Sequence, residues 1–276
     1  MLKPYYYLLN SLLLLITTSL TISCAPKIVK QSDSYTDSKT PTLKTIKDRD
    51  TIRIGTTGDF MPFSYKIDSN NSYAGLDIEM AKTLAKSLDV ELAFIETSWP
   101  TLMQDLMNDK FDIGMSGITI TPKRQTKAFF STPVLSSGKA AITRVENSHK
   151  YNSIEKINKE NVRVIFNPGG TNEAFARANF PKATLLLNDN NLNIFQKLVD
   201  GEADVMVTDA VETLMQEQIH KELEAVNPNQ PFNSFDFGYL IEKDTVFKNV
   251  IDNWLISQQK DSVVFKLLQK EITKLN

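Results

Sequence analysis

The segment at 111–130, FDIGMSGITITPKRQTKAFF, carries the residue types of an anion-binding site. An apolar, strand-like run leads into Ser116, Gly117 and Thr119, and Arg124 follows in a Thr-Pro sequence that is typical of a helix start. Arginine is permanently charged and binds a carboxylate through two parallel hydrogen bonds. The segment therefore predicts a carboxylate-binding site. Taken alone, it would equally describe a surface arginine at the start of a helix.

Aromatic and acidic side chains follow two other predicted strands. Asp59 and Phe60 come just after the strand at 51–55, and Trp99 comes just after the strand at 91–96. Ligands of α/β proteins bind beyond the carboxyl ends of such strands, so these side chains are candidates for one wall of a binding site. For an isolated aromatic residue, a place in the core is the alternative.

The sequence NPGGTNEAFARANF places a double glycine between a predicted strand and a predicted helix. Backbone N–H groups at such a helix start attract anions, and Asn167, Thr171 and Asn172 lie around it. The alternative is that the glycines only form a turn.

The sequence TDAVET carries carboxylates at Asp209 and Glu212, at the start of another predicted helix. Residues at this spacing lie on roughly the same side of a helix, so both carboxylates are able to face a ligand. The spacing is also that of a capping box, in which both side chains only bind backbone N–H groups. Four such features at four strand ends favour a shared site over four structural coincidences.

Strands and helices alternate along the chain. The predicted strands are 51–55, 91–96, 140–144, 162–166, 184–187 and 203–208. The predicted helices are 75–88, 100–108, 170–179, 193–198, 209–220 and the tail from 244 onward. This alternation predicts parallel sheets with helices on both faces. Two such sets, separated near Lys139 and rejoined near Phe237, predict two α/β lobes that share a cleft at their strand ends.

The first 24 residues have the pattern of a secretory signal, in which Lys3 precedes an apolar stretch that is too short for a convincing membrane span. Cys24 is the only cysteine and stands where a lipoprotein signal places its lipidated residue. Ser-Cys-Ala also fits an ordinary cleavage site between small residues, so lipidation of Cys24 and its removal both remain open. Residues 25–47 are polar and predict a flexible tether.

Composition excludes several classes of function. The net charge of −2 gives no indication of a surface for nucleic acid or for anionic lipid. With a single cysteine the chain forms no internal disulfide. The two histidines, His149 and His220, lie in separate segments, so neither a zinc cluster nor a histidine-based triad is indicated. We therefore expect no metal and no cofactor, and contact with a membrane only through a lipid at Cys24.

Seven segments resemble, in order, the periplasmic cyclohexadienyl dehydratases, which share the fold of the family 3 bacterial extracellular solute-binding proteins. The segments are TTGDF-PFSY, YAGLDIEMA, TSWPTLMQD, FDIGMSGI, NPGGTNEAFARAN, NIFQKLVDGEADVMVTDA and NPNQPF. The resemblance implies a two-lobed, periplasmic-binding-protein-like (type II) α/β fold with two hinge crossings. Lobe 1 would comprise 48–139 plus 240–276, and lobe 2 would comprise 140–239. It also implies conversion of prephenate to phenylpyruvate, or of arogenate to phenylalanine, in the cell envelope.

The resemblance also implies which residues bind the small carboxylate substrate. Arg124 matches the arginine that clamps the α-carboxylate, and Asp209 matches the position that contacts the amino group in amino-acid binders. The expected substrate-binding residues are Asp59, Phe60, Trp99, Ser116, Gly117, Thr119, Arg124, Lys139, Asn167, Thr171, Asn172 and Asp209.

A dehydratase of this kind needs one acid to protonate the departing ring hydroxyl. The resemblance makes Glu212 the first candidate and Glu173 the reserve, with Asp59 and Lys139 to follow if neither acts. A helix start favours the ionised carboxylate, whereas a general acid must keep its proton. Desolvation and the neighbouring charge of Asp209 would have to raise the pKa of Glu212.

The alternative function is that of a non-catalytic amino-acid receptor that feeds an ABC permease. Such a receptor would use Arg124, Thr119, Thr171 and Asp209 in the same way, without turnover. A sensor or adhesion role for a lipid-anchored binder is a third, weaker alternative.

Overall fold

The structure is a computed structural model that describes residues 42–67 and 72–274. The predicted secretory signal at 1–24, including Cys24, and the tether up to residue 41 lie outside the described residues. These expectations therefore stay predictions. The described residues belong to one compact unit.

The strands, in chain order, are β1 (Thr51–Thr56), β2 (Asp59–Phe60), β3 (Ser64–Lys66), β4 (Tyr73–Ala74), β5 (Glu91–Glu96), β6 (Ile113–Gly114), β7 (Phe129–Phe130), β8 (Leu135–Ser137), β9 (Lys139–Arg144), β10 (Arg163–Phe166), β11 (Thr184–Leu187), β12 (Val205–Asp209), β13 (Leu223–Val226), β14 (Phe235–Phe237) and β15 (Leu240–Ile241). The α-helices are α1 (Thr42–Arg49), α2 (Leu76–Leu88), α3 (Leu102–Met107), α4 (Pro122–Gln125), α5 (Ile154–Ile157), α6 (Thr171–Asn179), α7 (Ile194–Val199), α8 (Ala210–Ile219), α9 (Thr245–Lys260) and α10 (Val263–Thr273). Short 3-10 helices lie at Val145–Lys150 and Asn191–Asn193.

The first of two five-stranded sheets has the strand order β5-β1-β6-β15-β7. Strands β5, β1 and β6 are parallel. Ile52 and Ile54 of β1 are fully buried, and α2 packs on the sheet through Leu76, Met80 and Leu84, which recur at helical spacing. This stripe of apolar residues explains why the segment forms a helix against the sheet.

The second sheet has the order β11-β10-β12-β9-β13, with β11, β10 and β12 parallel. Strand β12 is buried on both faces, so its apolar residues alternate between two hydrophobic clusters. Val205 and Val207 enter one cluster, and Met206 enters the other. Both faces of this sheet are therefore covered.

Each sheet also contains one strand that runs against its neighbours, so the prediction of purely parallel sheets is wrong. Strand β15 is antiparallel to β6 and β7, and β9 is antiparallel to β12 and β13. Both reversed strands follow a crossing between the sheets, because β8 leads into β9, β14 leads into β15, and β8 pairs with β14. A strand that enters a sheet directly from such a crossing has no intervening crossover helix to make it parallel.

The end of the predicted tether is part of the folded protein. Residues 42–47 belong to α1, in which Ile46 is fully buried and the Thr42 N–H donates to Asp244 at 2.8 Å. The sequence did not predict α1, because its composition is polar and a single buried side chain on a short helix gives almost no periodic signal. The prediction that the tether extends to residue 47 is therefore wrong.

The other predicted elements begin and end within two residues of the observed ones. The helical tail is an exception, because it consists of α9 and α10, separated at Ser262, whose φ of 57° breaks the helix. Strands of two or three residues, such as β2 and β7, were not predicted, since they are too short to show alternation. None of the described helices is long and apolar enough to cross a membrane.

Candidate active site

A narrow cleft lies where the carboxyl ends of six parallel strands meet, three from each five-stranded sheet. The residues that line it follow β1, β5 and β6 of the first sheet, and end or follow β10, β11 and β12 of the second. They are Phe60, Trp99, Gly117, Thr119, Asn167, Gly170, Thr171, Asn172, Asn191, Asp209 and Glu212. A larger, more open depression around His149 and Asn227 contains none of these residues. The convergence of strand ends therefore makes the smaller cleft the candidate site.

Five residues expected at the site are not among those that line this cleft: Asp59, Ser116, Arg124, Lys139 and Glu173. Ser116 is fully buried, and its Oγ accepts a hydrogen bond from the Thr57 N–H at 3.1 Å. It shares a second one with the Thr57 hydroxyl at 2.8 Å. Ser116 thus joins the loop after β6 to the loop after β1, which is a supporting role and not the expected contact with substrate.

Phe60 and Trp99 form an apolar wall of the cleft. Their ring centroids lie 5.7 Å apart in an edge-to-face arrangement. The Trp99 Nε1 donates to Asp59 Oδ1 at 3.1 Å, and Phe60 stacks on Phe63 with a centroid distance of 5.2 Å. Phe60 is thus both a core residue and a cleft residue, and the alternatives drawn from sequence are both partly correct.

Arg124 presents a buried guanidinium behind Thr119. The Thr121 hydroxyl caps α4 by accepting from the Arg124 N–H at 3.2 Å, as the Thr-Pro sequence predicted. The guanidinium donates to the Thr119 carbonyl at 2.8 Å, and no described carboxylate forms an ion pair with it. Burial lowers the pKa of Arg124 to about 10, against the opposing effect of Asp209, so the group stays charged near neutral pH. A buried cation in this state is matched by an anionic ligand.

Lys139 and Asp209 form a buried ion pair, with 2.5 Å between Nζ and Oδ1. The two residues face each other because β9 runs antiparallel to β12, and the register places Lys139 opposite Asp209. The Lys139 Nζ also donates to Thr171 Oγ1 at 3.0 Å and to Asn172 Oδ1. All three ammonium donors are thereby used. Lys139 thus already binds the carboxylate of Asp209, which was expected to contact an amino group of the ligand.

A chain of hydrogen bonds continues from this ion pair to Glu212. The Asn172 Nδ2 donates to Asn167 Oδ1 at 3.1 Å and to Thr208 Oγ1 at 3.0 Å. The Thr208 hydroxyl then donates to Glu212 Oε2 at 2.5 Å. Because every member is buried, the network fixes the orientation of each side chain.

Glu212 is a buried carboxylic acid, and the residue is 2% exposed. Its pKa is raised to about 8, mainly because the side chain is buried. The negative charges of Asp209 and Asp59 raise the pKa further, whereas the hydrogen bond from Thr208 and the charge of Lys139 lower it. Glu212 is therefore mainly protonated near neutral pH, as a general acid must be. The capping-box alternative is wrong, because the side chain of Asp209, the residue before α8, makes no capping hydrogen bond.

Asp59 does not line the cleft but is bonded to Trp99, which forms part of the apolar wall. Burial raises its pKa, while hydrogen bonds from Thr57, Asn191 and Trp99 lower it. Its carboxylate holds the indole of Trp99 through Nε1. Asp59 therefore positions the wall and adds a negative field at Glu212.

Glu173 has the opposite environment to Glu212. Its carboxylate accepts from the Gly169 N–H at 2.7 Å and from Arg177 Nε at 2.8 Å, and these bonds lower its pKa. An ionised carboxylate that is already bound in this way is poorly suited to donate a proton. The structure therefore argues against Glu173 as the reserve acid.

Two glycines allow the cleft to be narrow. Gly117 has a φ of 62°, and a Cβ there would lie 2.5 Å from the Phe60 ring. Gly169 has a φ of 78°, and a Cβ there would lie 2.6 Å from Pro100 of the other sheet's loop. Both positions thus need glycine for conformation and for close approach. The double glycine is a turn and a packing contact at once.

Sequence reasoning missed two residues of the site: Asn191, which lines the cleft, and Thr208, which is bonded to Glu212. Asn191 lies in an asparagine-rich segment after β11, where nothing in the pattern distinguishes one asparagine from the next. Thr208 precedes Asp209 in a buried strand, so its hydroxyl looked like an ordinary β-branched side chain. In both cases only the partners across the fold reveal the role.

The described residues contain no group of three or more His, Cys, Asp or Glu side chains arranged to hold a metal ion. The residues that line the cleft supply hydrogen-bonding groups and the buried acid Glu212, and the cations of Arg124 and Lys139 are bonded to lining residues. Such a set suits a small organic anion with an apolar ring.

Known proteins have sequences similar to most of this chain. The cyclohexadienyl dehydratase of Pseudomonas aeruginosa is 47% identical over 213 residues, which cover 77% of this chain and 79% of that protein. The L-cystine-binding protein of Escherichia coli is 27% identical over 83% of this chain and 85% of that protein.

Solved structures of related proteins also match this chain. An ancestral amino acid-binding protein, a precursor of cyclohexadienyl dehydratase, matches with a TM-score of 0.78 and 38% identity over 84% of this chain and 100% of that chain. An ancestral cyclohexadienyl dehydratase matches with a TM-score of 0.53 and 46% identity, over 85% of this chain and 98% of that chain. These neighbours confirm the predicted two-lobed type II α/β fold.

The family assignment rests on most of the chain. Residues 52–274 match the family described as bacterial extracellular solute-binding proteins, family 3. This range includes both five-stranded sheets, apart from Thr51 at the start of β1, and every residue that lines the cleft. The chain belongs to family 3 of the bacterial extracellular solute-binding proteins.

Proposed function

We propose that this protein is a cyclohexadienyl dehydratase, which converts prephenate to phenylpyruvate, arogenate to phenylalanine, or both. The observation that carries the proposal is the buried acid Glu212, which faces the cleft and has a pKa raised to about 8. A receptor that only binds an amino acid has no use for a proton donor there. The 47% identity to the dehydratase of Pseudomonas aeruginosa supports the same activity.

The reaction requires one proton and an oriented substrate. The bond between the ring carbon and its hydroxyl breaks, the hydroxyl takes the proton of Glu212, and water leaves. The bond to the ring carboxylate breaks at the opposite carbon, its electron pair completes the aromatic ring, and carbon dioxide leaves. Glu212 ends as a carboxylate and regains a proton from solvent. Aromatisation drives the reaction, so the protein must mainly orient the substrate and supply the acid.

Orientation is the task of groups at both ends of the cleft. Arg124 binds the side-chain carboxylate of the substrate, since its guanidinium is buried and no described acid pairs with it. The hydroxyls of Thr119 and Thr171 line the cleft and add hydrogen bonds. Phe60 and Trp99 pack against the ring of the substrate, because their aromatic side chains form the apolar wall of the cleft. The ring hydroxyl is thereby presented to Glu212.

The place of action is the cell envelope. The family consists of extracellular solute-binding proteins, which supports export of this chain. The amino-terminal pattern supports a secretory signal at 1–24 and a lipid anchor at Cys24 in the periplasm. Retention of radiolabelled palmitate by the wild-type protein and its loss in Cys24→Ser would test the anchor.

A non-catalytic amino-acid receptor that feeds an ABC permease is the second candidate. The buried, unpaired Arg124 favours it equally, because a receptor would clamp the α-carboxylate with the same group. The two functions differ in the need for a protonated Glu212. Binding without turnover is therefore the outcome that distinguishes the receptor.

One assay decides between the two functions. Purified mature protein is mixed with prephenate or arogenate, and the ultraviolet absorbance of phenylpyruvate or the release of phenylalanine is followed. Turnover at or above about 1 s⁻¹, within the ordinary range of enzymes, is the expected result. A stable complex with an amino acid, together with no turnover of either substrate, would establish the receptor.

A further inference from the structure

Asn191 links the two halves of the cleft. It begins the short 3-10 helix after β11 of the second sheet, and its Nδ2 donates to the backbone carbonyl of Asp59 at 3.0 Å. Asp59 follows β1 of the first sheet, so this hydrogen bond crosses from one sheet's loops to the other's. The contact holds Asn191 in the wall of the cleft.

The hydrogen bond also decides which way the amide of Asn191 points. A flipped amide would place its oxygen against the Asp59 carbonyl, and two acceptors repel each other. Oδ1 must therefore be the atom that points away from Asp59. Among the described residues, this oxygen is buried and has no hydrogen-bond partner. An acceptor that stays unpaired in a buried position is costly, unless a ligand supplies the donor.

The unpaired oxygen belongs to a residue that lines the same cleft as the acid. Asn191 and Glu212 both line the cleft, and Asp59, which Asn191 holds, is close enough for its charge to act on Glu212. The two groups have complementary chemistry, since Glu212 has a proton to give and Asn191 Oδ1 has a lone pair to offer. A hydroxyl group placed between them would donate to Asn191 and accept from Glu212.

The substrate chemistry supplies one group of this kind. In the dianion of prephenate, both carboxylates and the keto oxygen are acceptors only, and the ring hydroxyl is the single donor. We propose that Asn191 Oδ1 accepts a hydrogen bond from the ring hydroxyl of the substrate and so orients the oxygen of that hydroxyl towards Glu212. This inference rests on the proposed dehydratase function and names a residue that recognises the departing group.

The test compares the substrate with a ligand that lacks the hydroxyl. Prephenate carries the ring hydroxyl and the ring carboxylate, whereas its product, phenylpyruvate, lacks both. Of these two groups only the hydroxyl is able to donate to Asn191 Oδ1, because a carboxylate is an acceptor only. For Asn191→Ala we expect kcat/KM for prephenate to fall about 10- to 100-fold, the usual consequence of losing one buried hydrogen bond to the reacting group. The dissociation constant for phenylpyruvate should change less than about threefold. Leu192→Ala is the matched control, because Leu192 is the next residue and is 64% exposed; it should leave both values unchanged.

Each outcome has a distinct meaning. Equal weakening of prephenate turnover and phenylpyruvate binding in Asn191→Ala would show that Asn191 only closes the cleft on Asp59, and would overturn the proposal. Unchanged values for both ligands would overturn it as well. Thermal unfolding and circular dichroism of the variant identify any loss of fold, and Asn191→Ser then repeats the comparison with a smaller polar side chain. If wild-type protein does not turn prephenate over, the proposed function fails first and the inference fails with it.

Discussion

The Thr208 hydroxyl donates a hydrogen bond to Glu212 Oε2 at 2.5 Å while it accepts one from Asn172 Nδ2 at 3.0 Å. A hydroxyl has one proton to donate. Because the Thr208 oxygen accepts from the Asn172 amide, its own proton is free to point to Glu212. Because Oε2 already accepts this hydrogen bond, we infer that the acid proton of Glu212 resides on Oε1. Thr208 thus positions the proton that the proposed reaction needs.

Thr208→Val should therefore alter the acid without removing it. Valine keeps the shape but not the hydroxyl, so the effect of Thr208 that lowers the pKa of Glu212 is lost, and this pKa rises. The alkaline limb of the kcat profile should move to higher pH, and kcat at the optimum should fall about tenfold because the proton is no longer oriented. The control is Thr213→Val, since the Thr213 hydroxyl bonds only to the Ala210 carbonyl of its own helix. An unshifted profile in Thr208→Val would contradict the positioning role.

Glu212→Gln separates chemistry from binding. Glutamine has nearly the same shape but no acidic proton, so kcat should fall by about 10² to 10⁴ while binding of phenylpyruvate is largely kept. In the wild type, kcat/KM should decline on the alkaline side as the acid of the free enzyme ionises, with an apparent pKa near 8. Glu173→Gln is the matched control and should retain turnover, because Glu173 is ionised and bound to Gly169 and Arg177. Near-normal turnover of Glu212→Gln would instead direct attention to Asp59 and Lys139.

The same variant should change the pH dependence of stability. The pKa of Glu212 is about 8 in the folded protein and near 4.5 in the unfolded chain, so the folded state holds one more proton between these values. The contribution of this raised pKa to stability is complete below about pH 4.5 and is lost as the pH rises through about 8. Glutamine has no such loss. The difference in free energy of unfolding, Glu212→Gln minus wild type, should rise by roughly 1.4 kcal/mol per pH unit across this interval. Urea unfolding at several pH values measures it, and a flat difference would refute the raised pKa.

Arg124→Ala should remove most of the binding. The guanidinium is buried, and the proposed bond to the substrate carboxylate is charge-assisted, so its loss costs roughly 2–5 kcal/mol. KM for prephenate and the dissociation constant for phenylpyruvate should rise together. Arg124→Lys should restore little, because an ammonium does not form the two parallel bonds. The exposed neighbour Lys123 provides the control variant Lys123→Ala, and an unchanged KM in Arg124→Ala would rule out the anion clamp.

Trp99 should report ligand binding through its fluorescence. It lines the cleft and its Nε1 is bonded to Asp59, whereas Trp254 packs against Tyr239 in the core, away from the lining residues. Trp99→Phe should therefore abolish the ligand-induced change in emission, and Trp254→Phe should keep it. A signal that survives in Trp99→Phe would place the ligand elsewhere.

The sequence by itself determined the elements and the chemistry that local patterns carry. Periodicity located α2 and β5, the Thr-Pro sequence located the cap before Arg124, and the double glycine located the start of α6. These features depend on residues within a few positions of one another, so a single stretch of chain contains all the information. The resemblance to the dehydratases rests on the same local motifs and was confirmed by the relatives at the level of family and fold.

Only the tertiary structure decided what each polar group does. Asp209 and Glu212 are three residues apart, but one is neutralised by Lys139 across a reversed strand and the other keeps its proton in a buried position. Glu173, with the same side chain as Glu212, is ionised, because Gly169 and Arg177 bind it. A pKa depends on burial and on the charges of partners that are distant in sequence, as the pairing of Lys139 with Asp209 across 70 positions illustrates. No local pattern contains that information, and so the acid had to be identified from the fold.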